Sequence, residues 1–267
     1  MIYSRPLHTR GIDCASDHWV GLPTVLRFFE HCRWEWLRVP ELGLVEAVHA
    51  GHGFYVTEQV VALSRRFGQG VSADVRGALR KVGRVEARAE QDLVRSDGVL
   101  LAHCHIRGVW VAPGGRLTRI PRVARGAVTE EPLVSARGAD EPGTPGSLFD
   151  PPSPLRPGTL DLALPAEPPA GAHRHTLRVR SSDCDIFAHV NAAHYVRFVA
   201  DSLASQGASP SLHRAAVRYI GQAVAGDTVE VLTWPLGPER WGAAVTRDDE
   251  VLFTASVDTE RLHPPLQ

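Results

Sequence analysis

After Asn191 the chain places Ala192, Tyr195, Val196, Val199 and Leu203 at helical spacing, which gives one apolar face and predicts an amphipathic helix. A second stripe of the same kind, Leu22, Val25, Leu26, Phe29, Cys32 and Trp36, predicts a helix near the start of the chain. Other stretches carry the two-residue period of a strand. Val85, Ala87 and Ala89 alternate with Glu86, Arg88 and Glu90, and Leu177 and Val179 alternate with Arg178 and Arg180, so both read as half-buried strands. Val99 to Val111 reads as a more fully buried strand, and Val229–Trp234 and Val251–Val257 supply two more. Gly70-Val71 and Gly226-Asp227 each mark the start of a strand, and Gly51-His52-Gly53 reads as a turn into one.

The same order of elements therefore occurs twice, spaced by roughly 170 residues: a short strand, a long apolar helix, then several strands. Between the copies, residues 130–172 are rich in proline and glycine, a composition that sustains neither helix nor central strand. The expected organisation is an N-terminal domain over 1–129, a linker over 130–172 and a C-terminal domain over 173–267. A helix followed by an antiparallel sheet must hide the helix's apolar stripe, and a curved sheet wrapped around the helix does so. The predicted class is α+β: two tandem hotdog folds forming a pseudo-dimer, with the site between the halves.

Composition narrows the functional classes. The chain has 267 residues, 43% of them hydrophobic and 22% charged, with a formal net charge of −1, and it shows no basic run of the kind nucleic-acid binding needs. No apolar run approaches the roughly 20 residues that span a bilayer, and nothing at the start resembles a signal peptide, so a cytoplasmic protein is expected. Cys14, Cys32, Cys104 and Cys184 form no C-x-x-C pair and read as reduced thiols. His103-Cys104-His105 suggests a metal cluster only superficially, because strand alternation sends the two histidines to one face and the cysteine to the other. No metal and no cofactor are expected.

Ser182 to Tyr195 crowds two carboxylates, two histidines and a helix start into one short stretch. The N-terminal end of a helix carries unpaired backbone N–H groups and the positive pole of the dipole. A carboxylate and an imidazole held there can activate water against a carbonyl, whose developing negative charge the free amides receive. Asp185 is the candidate general base or carboxylate nucleophile, and His189 the group that polarises the carbonyl or places the water. Asp183 and Asn191 are expected to support and fix the loop. The competing structural roles are a turn acceptor for Asp185, a buried loop-holding imidazole for His189, and a surface or packing position for His194. Cys184 lies between two aspartates, which disfavour its thiolate, so it is not expected to be a nucleophile. Phe28, Phe29, Trp34 and Trp36 are candidates for the wall of a cavity, or plain core.

Asp183, Asp185, His189, Val190, Asn191 and Tyr195 together resemble the motif Asp-x-Asp-x-x-x-His-Val-Asn, with an early helix tyrosine, of the acyl-acyl carrier protein thioesterases, which belong to the hotdog thioesterase superfamily. Asp17 with the helix from Leu22, Trp110-Val111, and Arg116 to Gly126 resemble that family's N-terminal half. The resemblance implies hydrolysis of an acyl thioester, carried by acyl carrier protein or coenzyme A, in the setting of fatty acid biosynthesis. It leaves open further association into a homodimer of pseudo-dimers. Two positions depart from the pattern. Phe187 stands where the family has an asparagine, and counting back from Asp227 puts Ala223, with Val224 beside it, where the family has a second carboxylate. Phe187 and Ala223 are therefore expected at the substrate pocket, with hydrolysis resting on Asp185, His189 and backbone amides. Asp13-Cys14-Ala15 repeats Asp183-Cys184-Asp185 with alanine in place of the acid, which implies one site per chain. Two other readings are a hotdog dehydratase using Asp185 and His189 as an acid–base pair, and a non-hydrolytic acyl-binding protein with a decayed site.

Overall fold

A computed structural model describes residues 1–15, 17–133 and 168–259. The chain divides into two compact units, one holding the described residues of 1–20 and 24–133 and the other 21–23 and 168–259, and residues 134–167 of the expected linker lie outside the described residues.

The N-terminal unit runs β1 (Ile2–His8), α1 (Leu22–Trp36), a short α2 (Val45–His49), β2 (Gly53–Leu63), β3 (Ser72–Val82), β4 (Glu86–Arg95) and β5 (Leu100–Val111). Its strands lie in the order β1-β3-β4-β5-β2, every neighbouring pair antiparallel. The stripe read from the sequence is the buried face of α1: Leu22, Val25, Leu26, Phe29, Cys32 and Trp36 are all at most 3% exposed. Phe28 and Trp34 are half-buried. At Gly51 the chain turns with φ of 84°, a left-handed value that glycine adopts without strain, and β2 begins two residues later.

The core of this unit has a polar pin that the apolar stripe does not announce. Arg33 of α1 is buried and donates from Nη1 to Oε1 of Gln91 on β4 at 2.7 Å, and Gln91 Nε2 donates back to the Phe29 carbonyl at 2.9 Å. Removing one partner would leave a buried guanidinium without its acceptor, which costs about 3 kcal/mol or more. Gln91→Leu is therefore expected to lower the denaturation midpoint sharply in urea, and an unchanged midpoint would show that Arg33 finds another acceptor.

On the other face of β4 and β5 the alternation works as expected. His103 and His105 share one side while Cys104 is fully buried on the opposite side, where Gln59 Nε2 approaches its Sγ at 3.0 Å. The two imidazoles are hydrogen-bonded to each other through their Nε2 atoms at 2.8 Å, and each turns Nδ1 to a carboxylate on β4, His103 to Asp92 and His105 to Glu90. Glu90 also accepts from Arg80 Nε at 2.6 Å. Burial works against ionisation of Glu90, but the bonds from His105 and Arg80 outweigh it and hold the carboxyl at about 2.

The C-terminal unit repeats the plan with β6 (His173–Arg178), α3 (Ala192–Ser205), β7 (Leu212–Tyr219), β8 (Thr228–Pro235), β9 (Arg240–Arg247) and β10 (Glu250–Thr259), in the antiparallel order β6-β8-β9-β10-β7. Tyr195, Val196, Val199 and Leu203 of α3 are buried as the spacing predicts, with Ala193, Phe198 and Ala200 beside them, while Ala192 is only half-buried. A long helix against a five-stranded antiparallel sheet, twice along the chain, is the tandem hotdog fold. No helix among the described residues is long and apolar enough to cross a membrane.

Candidate active site

The segment joining β6 to α3 has the same local construction as the one joining β1 to α1. In each, a short helical turn (Ser181–Asp183, Gly11–Asp13) is closed by an aspartate whose Oδ2 accepts the backbone N–H of an arginine three residues earlier, Arg180 to Asp183 and Arg10 to Asp13, both at 2.8 Å. In each, the following cysteine bridges to a valine before the helix, Cys184 to Val190 and Cys14 to Val20. A non-glycine residue with positive φ, Ala188 at 62° and His18 at 69°, lets each loop reverse. The local repeat is therefore structural, and the carboxylate of Asp185, facing Ala15 in the comparison, is what distinguishes the C-terminal copy.

Asp183 is only 2% exposed, and its carboxylate is committed to holding the loop. Besides Arg180 N–H, it accepts from Arg197 Nη2 at 2.7 Å and lies 3.2 Å from His194 Nδ1, while its carbonyl accepts Asn191 N–H at 2.9 Å. Burial alone would raise its pKa, but the Arg180 amide and the Arg197 guanidinium prevail and hold it below the ordinary carboxylate value. His194, expected at the surface or in packing, and Arg197, which the sequence did not single out, project from adjacent turns of α3 onto this carboxylate. Their spacing of three is the available signal for a shared helix face. Asn191 caps α3, its side-chain oxygen accepting Ala193 N–H at 2.9 Å.

Asp185 and His189 are joined across a tight loop by Asp185 N–H donating to the His189 carbonyl at 2.8 Å. Asp185 Oδ1 accepts Phe187 N–H at 2.8 Å and, more weakly, His189 N–H at 3.4 Å. That oxygen does the work of a turn acceptor. Oδ2 takes no hydrogen bond from the described residues and is the atom left for chemistry. The Nδ1 atom of His189 is buried without a partner. The tautomer that buries only a lone pair there keeps its proton on Nε2, which makes the ring a donor toward an acyl oxygen.

Phe187 is half-buried beside these groups, and Ile186 is 76% exposed. Ala223 has no exposure, and it acts through its backbone: its N–H donates to the Tyr195 hydroxyl oxygen at 2.9 Å and its carbonyl accepts Val190 N–H at 2.8 Å. Val224 pairs with His189 in an isolated bridge. Asp227, next along, accepts Val224 N–H at 2.9 Å and Arg247 Nη1 at 2.7 Å, and these bonds lower its pKa. The Cys184 thiol has its pKa raised, by burial first and then by Asp183, Asp185 and Asp227, against a backbone bond from Ala225, so a thiolate is disfavoured there. Among the described residues no group of three or more histidine, cysteine or carboxylate side chains is placed to hold a metal.

A helical N-terminus, a carboxylate with one oxygen uncommitted and an imidazole offering a donor are the groups that attack on an acyl carbonyl calls for. Residues 166–255 match the family model of the acyl-ACP thioesterase C-terminal domain. Among solved structures, the chain is similar to a protein from Lactobacillus plantarum assigned as an oleoyl thioesterase (19% identity, 98% of each chain covered, TM-score 0.73). It is similar also to an acyl-ACP thioesterase from Bacteroides thetaiotaomicron (14% identity, 97% of this chain and 98% of the other, TM-score 0.71). A third is the 12:0-ACP thioesterase from Umbellularia californica (17% identity, 96% of each chain, TM-score 0.70). At these identities the likeness shows the fold. No curated protein matches the chain.

Proposed function

We propose that the chain hydrolyses an acyl thioester carried on acyl carrier protein, releasing a free carboxylic acid and the carrier's phosphopantetheine thiol. The observation that carries this reading is that Asp185, whose Oδ2 takes no hydrogen bond from the described residues, and His189 are tied together by backbone bonds in one loop at the start of α3, in the region that matches the family model. Asp185 activates water, or attacks the thioester carbon itself to form an anhydride that water opens. His189 Nε2–H polarises the acyl oxygen, while Asp183 and Asn191 keep the loop in place. Phe187, half-buried, stands where the family pattern has a polar group and makes the site beside the acid bulkier and drier, which suits a specialised rather than an ordinary fatty acyl group. No metal or cofactor takes part in these steps.

The carrier preference is supported by exposed arginines on the same unit. Arg178 and Arg180, at and just beyond the end of β6, are exposed and make no side-chain ion pair with the described residues, whereas Arg174 is paired with Glu230 at 2.7 Å. Such charges suit an acidic carrier surface. The experiment is to compare hydrolysis of one acyl group on acyl carrier protein and on coenzyme A. A kcat/KM higher for the carrier, falling toward the coenzyme A value in Arg178→Glu/Arg180→Glu at low salt, is expected. Equal values for both carriers, insensitive to those substitutions, would remove the carrier from the reading.

His189→Ala is expected to lower kcat by roughly 100-fold, the usual consequence of losing one donor to a developing oxyanion. A loss confined to KM would mean that His189 binds rather than activates.

A further inference from the structure

We propose that Tyr195 is a positioning residue for hydrolysis, its hydroxyl fixing the Ala223–Val224 ledge on which the His189 backbone rests; this rests on the reading of His189 given above. A reactive imidazole is ordinarily oriented by a hydrogen bond at its second nitrogen. His189 has none, because its Nδ1 is buried without a partner. The direction of the ring must then come from its backbone. Three contacts set that backbone: the His189 carbonyl accepts Asp185 N–H at 2.8 Å, His189 N–H donates to Asp185 Oδ1 at 3.4 Å, and the bridge of His189 to Val224 is carried by Val190 N–H donating to the Ala223 carbonyl at 2.8 Å. The third lies on the ledge.

The ledge is held in turn from both ends. On one side the buried Ala223 N–H donates to Tyr195 Oη at 2.9 Å. On the other, Val224 N–H donates to Asp227 Oδ2, which Arg247 also holds. Alanine brings no polar side chain of its own, so Tyr195 supplies the anchor at residue 223. The tyrosine is suited to this. It is 2% exposed, stacked on Phe253 with ring centroids 5.3 Å apart, and set edge-on to Phe198 and Tyr219. Burial pushes its pKa up to about 12, so the hydroxyl remains a neutral acceptor at working pH. Displacement of a reacting group by a fraction of a bond length is enough to slow a step that depends on alignment.

The test is a double-mutant cycle between Tyr195→Phe and His189→Ala, read as kcat and KM on one acyl-carrier thioester alongside thermal unfolding. Phenylalanine keeps the aromatic stack and removes only the hydroxyl. The expected result is a roughly 10-fold loss of kcat with KM within about twofold, and no further loss when Tyr195→Phe is added to His189→Ala. Equal losses in both backgrounds, or an unchanged kcat in Tyr195→Phe, would overturn the proposal while leaving His189 in its role. Full activity in His189→Ala would instead overturn the reading of His189, and this proposal with it. Should Tyr195→Phe fail to fold, Asp227→Ala releases the other end of the same ledge and must show the same dependence on His189.

Discussion

Asp183→Ala is expected to destabilise the C-terminal unit by roughly 3 kcal/mol, because it strips a buried carboxylate from three donors at once. The Arg180 amide, the Arg197 guanidinium and the His194 imidazole would all lose their shared acceptor, and the loop carrying Asp185 and His189 would lose its floor. The same group gives stability a definite dependence on pH. The folded pKa of Asp183 lies below its unfolded value, so its contribution is fully present above about pH 4 and is lost as pH falls through the lower folded value. Urea midpoints measured from pH 6 down to pH 3 should fall in the wild type, and Asp183→Asn should lose part of that acid dependence. An Asp183→Ala protein with the wild-type midpoint would show that the loop is held by other means.

Asp185→Asn is expected to remove most hydrolysis, with kcat falling by about 100-fold or more, while the fold is retained. The retention follows from the geometry. An asparagine Oδ1 can still accept Phe187 N–H, so the turn survives while the charge and basicity at Oδ2 are lost. The substitution thus separates the two roles of this residue. A kcat within about threefold of wild type would assign Asp185 to the turn alone.

Much of the fold was legible because burial follows period. The α1 and α3 stripes, the alternation on β4 and β6, and the doubling of the whole plan can be read from spacing, since each element must hide one face. The Arg33–Gln91 pin was not, because an arginine beside an apolar stripe gains its acceptor only when a strand some sixty residues later is folded against it. The short α2 has no stripe long enough to show a period. At the site, Asp183, Asp185, His189 and Asn191 stand close in sequence and are close in space, so the motif conveyed their neighbourhood. Their partners were hidden. Arg197 and His194 reach Asp183 from the helix, and Ala223 matters through an amide and a carbonyl, which no residue type advertises.

The most direct measurement is thiol release from a panel of acyl-carrier and acyl-coenzyme A thioesters by the wild-type protein and by Asp185→Asn. The account predicts steady release of one thiol per acid formed by the wild type and its near loss in the variant. A wild type that binds acyl carriers yet releases no thiol from any of them, or an Asp185→Asn protein as active as the wild type, would contradict it.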